Sequence, residues 1–391
     1  MELIETGCVK RQICVLKNGS RTGIYYDVKN MISYPNKLTE VGDKIFSILN
    51  KDYPDCNLLC GVPYGGLPFC SYLSTQFDIP MIMIRPTAKD YGLRKQIEGT
   101  YSNADKCIII EDVISTGDSI NEVYKVLKHH VNVIGAITVL DRQENHRCEI
   151  PVKSVFCKND ITKLRLNDTI RKKGRLCFSA DIENPKKLIE MVDRVGMHIS
   201  ICKIHIDLVD FSELPRAHFV ELLLELAIKH NFMIMEDRKF ADISFIVKKQ
   251  YRNIKDWADL VTVHGSVADE VLSVLSGAMF VANMSNQTFD YTKKALRLAE
   301  SHSKHMAGFI TQHRIDSLVC MTPGVNLTVK TNMDQNYCLP PGKEEADIVI
   351  VGRGIYETDN VGKSAELYSS VLSAKPRVSF ASTTLIMNKK M

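Results

Sequence analysis

The second half of the chain is punctuated by short apolar runs at Leu176–Ala180, Ser200–Ile206, Phe232–Met235, Leu260–Val263, Ala278–Ala282, Ala307–Ile310, Leu318–Met321 and Ile348–Val351. Each has the length of a buried strand, and most are separated by helical patterns such as Arg216–His230. Eight such strands with helical crossovers imply a (β/α)8 barrel, in which chemistry gathers at the carboxyl ends of the strands. In the first half, Cys107 to Ile114 is an apolar strand interrupted by the acids Glu111 and Asp112. The chain then turns through Ser115, Thr116 and Gly117 into a helix near Ser119. The whole reads as α/β: a sheet-and-helix domain followed by a barrel.

Two places break the apolar pattern with charge. In Ile201-Cys-Lys-Ile-His-Ile-Asp207 the polar positions alternate, so Lys203, His205 and Asp207 share one face of a strand that is otherwise buried. Ionisable groups buried side by side need partners. Downstream, Met235-Glu-Asp-Arg-Lys-Phe-Ala-Asp-Ile243 sets Asp237 and Lys239 two apart on a strand end, with Asp242 at the start of a helix. Carboxylates with a lysine between them suit a site that repels an anionic group and then delivers a proton. On residues alone, a solvated strand-to-helix corner and an edge strand with a wet face also remain open. Likewise, free N–H groups at the helix start after Gly117 can cradle a phosphate, and the acids above them can hold sugar hydroxyls, but the same turn also serves as a plain connection.

Composition narrows the classes. A length of 391 residues favours two domains, each long enough for its own core. A net charge of +4, from 50 basic and 46 acidic residues, argues for neither nucleic acid nor membrane. The 12 cysteines are scattered through apolar runs without metal spacing, which implies reduced thiols in the cytoplasm and no cysteine metal site. Met1-Glu-Leu-Ile-Glu-Thr lacks a leader pattern, and no apolar run nears the roughly 20 residues of a membrane helix. Polar residues replace the apolar periodicity between Lys158 and Gly174, so the expected division is a first domain at 1–158, a short linker at 159–174, a barrel at 175–375 and a tail at 376–391.

From about Leu176 to Ser373 the chain resembles the orotidine 5′-monophosphate decarboxylases. The resemblance rests on Lys203, on Asp237, Lys239 and Asp242, and on five further groups in order: Phe178-Ser-Ala-Asp181, Met284-Ser285, Thr322-Pro-Gly324, Gln335 with Tyr337, and Val351-Gly-Arg-Gly354. It implies that Lys203, Asp237, Lys239 and Asp242 carry the chemistry and that Ser179, Asp181, Ser285 and Pro323 contact substrate. Gln335, Tyr337, Gly352 and Arg353 would meet its phosphate. No cofactor is implied for decarboxylation.

Residues 10–145 resemble the orotate phosphoribosyltransferases of type I, through Val15-Leu-Lys17, Gly61-Val-Pro-Tyr64, the Ile84-Arg85 strand end, Lys89-Asp-Tyr-Gly92, Glu98-Gly99, the Glu111-Asp112 loop and Leu140-Asp-Arg-Gln143. This implies a parallel sheet flanked by helices and a catalytic Lys89. Substrate contacts would come from Lys17, Arg85, Glu111, Asp112, Ser115, Thr116, Gly117, Ser119 and Arg142, with Mg2+ in the transfer step. Transferase then decarboxylase is the order of the animal-type bifunctional enzymes of pyrimidine synthesis. Orotate and 5-phosphoribosyl 1-diphosphate would thus become orotidine 5′-monophosphate and then UMP, in a homodimer whose Asp242 reaches the neighbouring site. Departures from the pattern are Pro86 in place of a lysine, Asp118 in the phosphate loop, and Ser244-Phe-Ile246 in place of a ribose-contacting triplet. Asp118 either faces the phosphate or caps the following helix. These departures leave two other readings open: a decarboxylase with a weakened transferase half, and a non-catalytic nucleotide-binding homologue.

Overall fold

The computed structural model describes residues 2–16, 19, 21–85, 96–144, 146–284, 290–315, 318–327, 336–342 and 344–373. The chain divides into two compact units, Met1–Ile161 and Thr162–Met391.

The first unit opens on an antiparallel pair, β1 (Val9–Val15) and β2 (Arg21–Tyr26). Its sheet comprises β3 (Leu58–Gly61), β4 (Met81–Ile84), β5 (Ile97–Glu98), β6 (Lys106–Ile114), β7 (Asn132–Asp141) and β8 (Val152–Cys157), in the order β5-β4-β3-β6-β7-β8. Only β5 runs antiparallel to its neighbour. Alternation along the central strands explains why helices cover both faces. Leu59, Ile108 and Ile110 pack with Val41, Ile45 and Leu49 of helix Pro35–Asp52 and with Phe69 and Leu73 of helix Leu67–Phe77. Their neighbours Leu58, Cys107 and Ile109 face the other way, onto Ile120, Val123 and Leu127 of helix Asp118–Leu127.

The second unit is a closed, all-parallel barrel of eight strands. These are β9 (Leu176–Ser179), β10 (Ile201–Ile204), β11 (Met233–Phe240), β12 (Leu260–His264), β13 (Ala278–Val281), β14 (Met306–Ile310), β15 (Val319–Thr322) and β16 (Ile348–Val351). Closure pairs β16 with β9. Inward positions, including Cys177, Ile201, Met233, Met235, Leu260, Met279 and Ile350, form the interior core. Local signals agree with the crossovers: the Asn184 side chain accepts the Lys187 N–H and Pro185 opens helix Pro185–Val195.

The segment expected as a short linker forms helix Lys158–Lys173, and the boundary between the units falls inside it. Leu166 and Ile170 of this helix are buried in the barrel core, and Arg165 pairs with Asp259 at 2.6 Å.

Candidate active sites

Inward parity carries the barrel's chemistry. Two residues beyond the core positions Cys177, Ile201, Met235 and Leu260 stand Ser179, Lys203, Asp237 and Thr262, so each strand end aims a polar group where its body aims an apolar one. All four line a cavity of about 510 Å3, together with Asp181, His205, Lys239, Pro323, Tyr337, Gly352, Arg353 and Tyr356. Asp237 is the partner its charged groups share. Its Oδ2 accepts from Lys203 Nζ at 2.6 Å, stands 2.9 Å from Lys239 Nζ and lies 3.2 Å from His205 Nε2. Thr262 donates to its Oδ1 at 2.8 Å.

Burial alone would raise the Asp237 pKa, but the ammonium of Lys203, with His205 and Lys239, holds it well below the usual carboxylate range. Lys203 is the mirror case. Burial works against its charge, yet Asp237 and Asp181 outweigh that and raise its pKa. Lys239 is placed by an irregular ladder. Between the pairs Glu236–Val261 and Phe240–Val263, β11 sets Asp237, Arg238 and Lys239 against the single Thr262. Lys239 takes a left-handed φ of 46°, and its N–H donates to Thr262 Oγ1 at 2.8 Å.

Also lining the cavity, the Arg353 guanidinium lies 5.7 Å from the Tyr337 ring centroid, just after Gly352. Burial and the nearby Asp181 push the Tyr356 hydroxyl up to about 12. Ser179 donates to both carboxylate oxygens of Asp181, at 3.0 and 2.9 Å. Asp242 stands apart: it is exposed, does not line the cavity, and accepts its neighbour's N–H from Ile243 at 2.7 Å. Asp207 corrects an expectation. The strand ends at Ile204, and Asp207 leaves that face to pair with Arg238 at 2.9 Å, an exposed position where its charge needs no buried partner.

In the first unit the acids at the end of β6 are both buried, Glu111 at 5% and Asp112 at 4% exposure. Lys29 Nζ lies 2.8 Å from Asp112 Oδ2, and the Asp112 N–H donates to Glu111 Oε1 at 2.9 Å. Burial, reinforced by Asp112, pushes the Glu111 carboxyl up to about 9. The loop after β3 packs so closely here that a Cβ on Gly65 would fall 2.2 Å from the Asp112 carboxyl carbon.

Gly117, with φ 89°, turns the chain into helix Asp118–Leu127, beside Ser115, Thr116 and Ser119. Asp118 is the first residue of that helix rather than its cap, and its Oδ2 accepts the Thr116 hydroxyl at 2.8 Å. Arg85 pairs with Glu98 and Arg142 with Glu144, at 2.8 and 2.7 Å. Lys17, Lys89, Pro86, Ser285, Gln335 and the tail at 376–391 lie outside the described residues.

Sequence reasoning missed Lys29, Thr262 and Tyr356 as residues of these sites. A lone hydroxyl in the apolar run Leu260-Val-Thr-Val263 was a usable signal for Thr262; nothing local in Val28-Lys-Asn-Met31 marks Lys29 as the partner of an acid far along the chain.

The phosphoribosyl transferase domain family matches residues 29–168, and the orotidine 5′-phosphate decarboxylase / HUMPS family matches residues 174–368. Uridine 5′-monophosphate synthase of Bos taurus is 30% identical, over 90% of this chain and 92% of that protein. The chain belongs to the uridine 5′-monophosphate synthase family. The synthase of Naegleria gruberi is 29% identical over 94% of both chains, and the orotidine 5′-phosphate decarboxylase of Pichia kudriavzevii is 38% identical over 47% of this chain and 80% of its own. With both enzymatic domains in the family's order, the chain is a bifunctional enzyme of pyrimidine synthesis, and the (β/α)8 barrel with a preceding parallel-sheet domain bears out the expected fold class.

Proposed function

We propose that the first unit joins orotate to 5-phosphoribosyl 1-diphosphate and that the barrel decarboxylates the resulting orotidine 5′-monophosphate to UMP, with the residue roles that follow. The observation that carries the barrel's role is a carboxylate, Asp237, held ionised in a cavity between two lysines. Seating a substrate carboxylate against that fixed negative charge raises its energy, while Tyr337, Gly352 and Arg353 hold the phosphate and supply the binding energy. Loss of CO2 relieves the repulsion. Lys239, already 2.9 Å from Asp237, then protonates the carbon left behind, and Lys203 keeps Asp237 charged.

In the transferase half, Glu111 and Asp112 receive the ribose hydroxyls, and the N–H groups after Gly117 receive the 5-phosphate. The two buried acids at the end of β6 fit a Mg2+ that arrives on the diphosphate, since that ion prefers one or two carboxylates plus substrate phosphates. Asp112 would help hold it, and it would offset charge on the leaving diphosphate. The sites work in the cytoplasm, on small molecules. A homodimer is supported by the exposed Ile243 and Phe245, 65% and 63% accessible, which follow Asp242 with apolar surface suited to a second copy.

Lys239→Ala is expected to abolish CO2 release, by at least about 1000-fold for a lost proton donor in its charged cluster, while transfer from orotate is unchanged. Separate assays of the two half-reactions decide it; equal loss of both from a folded protein would sink the division of labour.

A further inference from the structure

Glu236 is a carboxyl with no role in the chemistry above, and it is fully buried, at 0% exposure. It precedes Asp237 and so lies on the opposite face of β11, away from the cavity. Both its oxygens face one donor, the Ile206 N–H, at 3.3 and 3.1 Å. The backbone ladder between β10 and β11 ends at the pair Ile204–Glu236. Beyond it the chain would part from β11, and the Glu236 side chain supplies the next bond in place of a backbone carbonyl. The residue so held follows His205, whose Nε2 lies 3.1 Å from Lys203 Nζ and 3.2 Å from Asp237 Oδ2. The end of β10 is therefore pinned from two sides, by Asp237 within the barrel and by Glu236 outside it.

We propose that Glu236 is a positioning residue for decarboxylation, holding the backbone after His205 so that His205 and Lys203 keep their contacts with Asp237. This rests on the charged cluster being the decarboxylation centre. A buried carboxyl without such a task would be replaced at lower cost by an apolar side chain. Burial pushes this one up to about 8, with Asp207 and Asp237 adding to the rise and the Ile206 N–H and Lys203 opposing it. A glutamine of the same length keeps an oxygen that can accept the Ile206 N–H.

The test compares Glu236→Leu, Glu236→Asp and Glu236→Gln in the full chain, reading kcat and KM for orotidine 5′-monophosphate, with circular dichroism and thermal unfolding as the measure of folding. The leucine variant removes the acceptor and the aspartate variant withdraws it by one methylene. Both are expected to lower kcat roughly 10- to 100-fold, as small displacements of reacting groups do, with KM changed less than about 3-fold because the phosphate contacts are untouched. The glutamine variant keeps an acceptor oxygen and is expected within about 3-fold of wild-type kcat. Wild-type kcat in the aspartate variant, or equal damage in the glutamine and leucine variants, overturns the proposal; if leucine prevents folding, the aspartate and glutamine pair still decides. Lys203→Ala separates this from failure of the underlying reading: retention of full activity there would refute the decarboxylation centre itself.

Discussion

Burial pushes two carboxyls the same way, and their neighbours decide the net direction. Asp237 has Lys203 and Lys239 within ion-pair distance and is held ionised, whereas Glu111 has another acid as its neighbour and is pushed up to about 9. A carboxyl whose pKa is raised on folding binds its proton more tightly in the folded chain. Its contribution to stability is complete below the unfolded value, about 4.3, and is lost as pH climbs through the folded one. Glu111→Gln cannot ionise, so this variant is expected to lose less stability than the wild type between pH 5 and pH 9. Thermal unfolding followed across that range checks it, and parallel curves for the two proteins would show that Glu111 does not titrate on folding.

Among elements, the helix Asp118–Leu127 departs from its family's pattern at its first residue. Its first residue brings a carboxylate to the helix start proposed above to receive the 5-phosphate, and that carboxylate already takes the Thr116 hydroxyl. Both effects oppose a dianion at the helix start, where the dipole would otherwise favour one. Asp118→Thr frees Thr116 and adds a donor, and after solvent screening the gain is expected at about 1.4 kcal/mol, or tenfold in affinity for 5-phosphoribosyl 1-diphosphate. Titration calorimetry with Mg2+ present measures this directly; unchanged affinity with a small loss of stability would mean that the carboxylate serves the helix and never meets the sugar. In the barrel, the strands lie where the apolar runs placed them, although β10 is shorter than the alternation suggested because its ladder with β11 stops at Ile204.

For the whole molecule, the exposed Asp242 is the residue that one chain leaves unused. If a second copy brings its Asp242 to the cavity, then Lys239→Ala and Asp242→Asn chains, each poorly active alone, complement when mixed, because one of the two sites in a hybrid dimer is built entirely from wild-type groups. Random exchange in an equal mixture is expected to restore about a quarter of wild-type decarboxylase activity, since half of the dimers are hybrids with one intact site each. Confirmed subunit exchange without recovery would make each barrel self-sufficient.

The apolar runs were enough to determine eight buried strands, the paired acids of β6 and the charged positions Lys203, Asp237 and Lys239, because strand alternation is local and can be read two residues at a time. Family motifs carried the rest of the functional assignment to particular positions. Only the tertiary structure decided that Thr262 both donates to Asp237 and receives the Lys239 N–H, that Lys29 is the counter-ion of Asp112, and that Glu236 serves Ile206 rather than the cavity. It also decided that Lys239 turns through a left-handed φ at an irregular step of the ladder. Each of these links joins strands or loops distant in sequence, and such pairings depend on register and barrel closure, which no local pattern of hydrophobic and polar residues encodes.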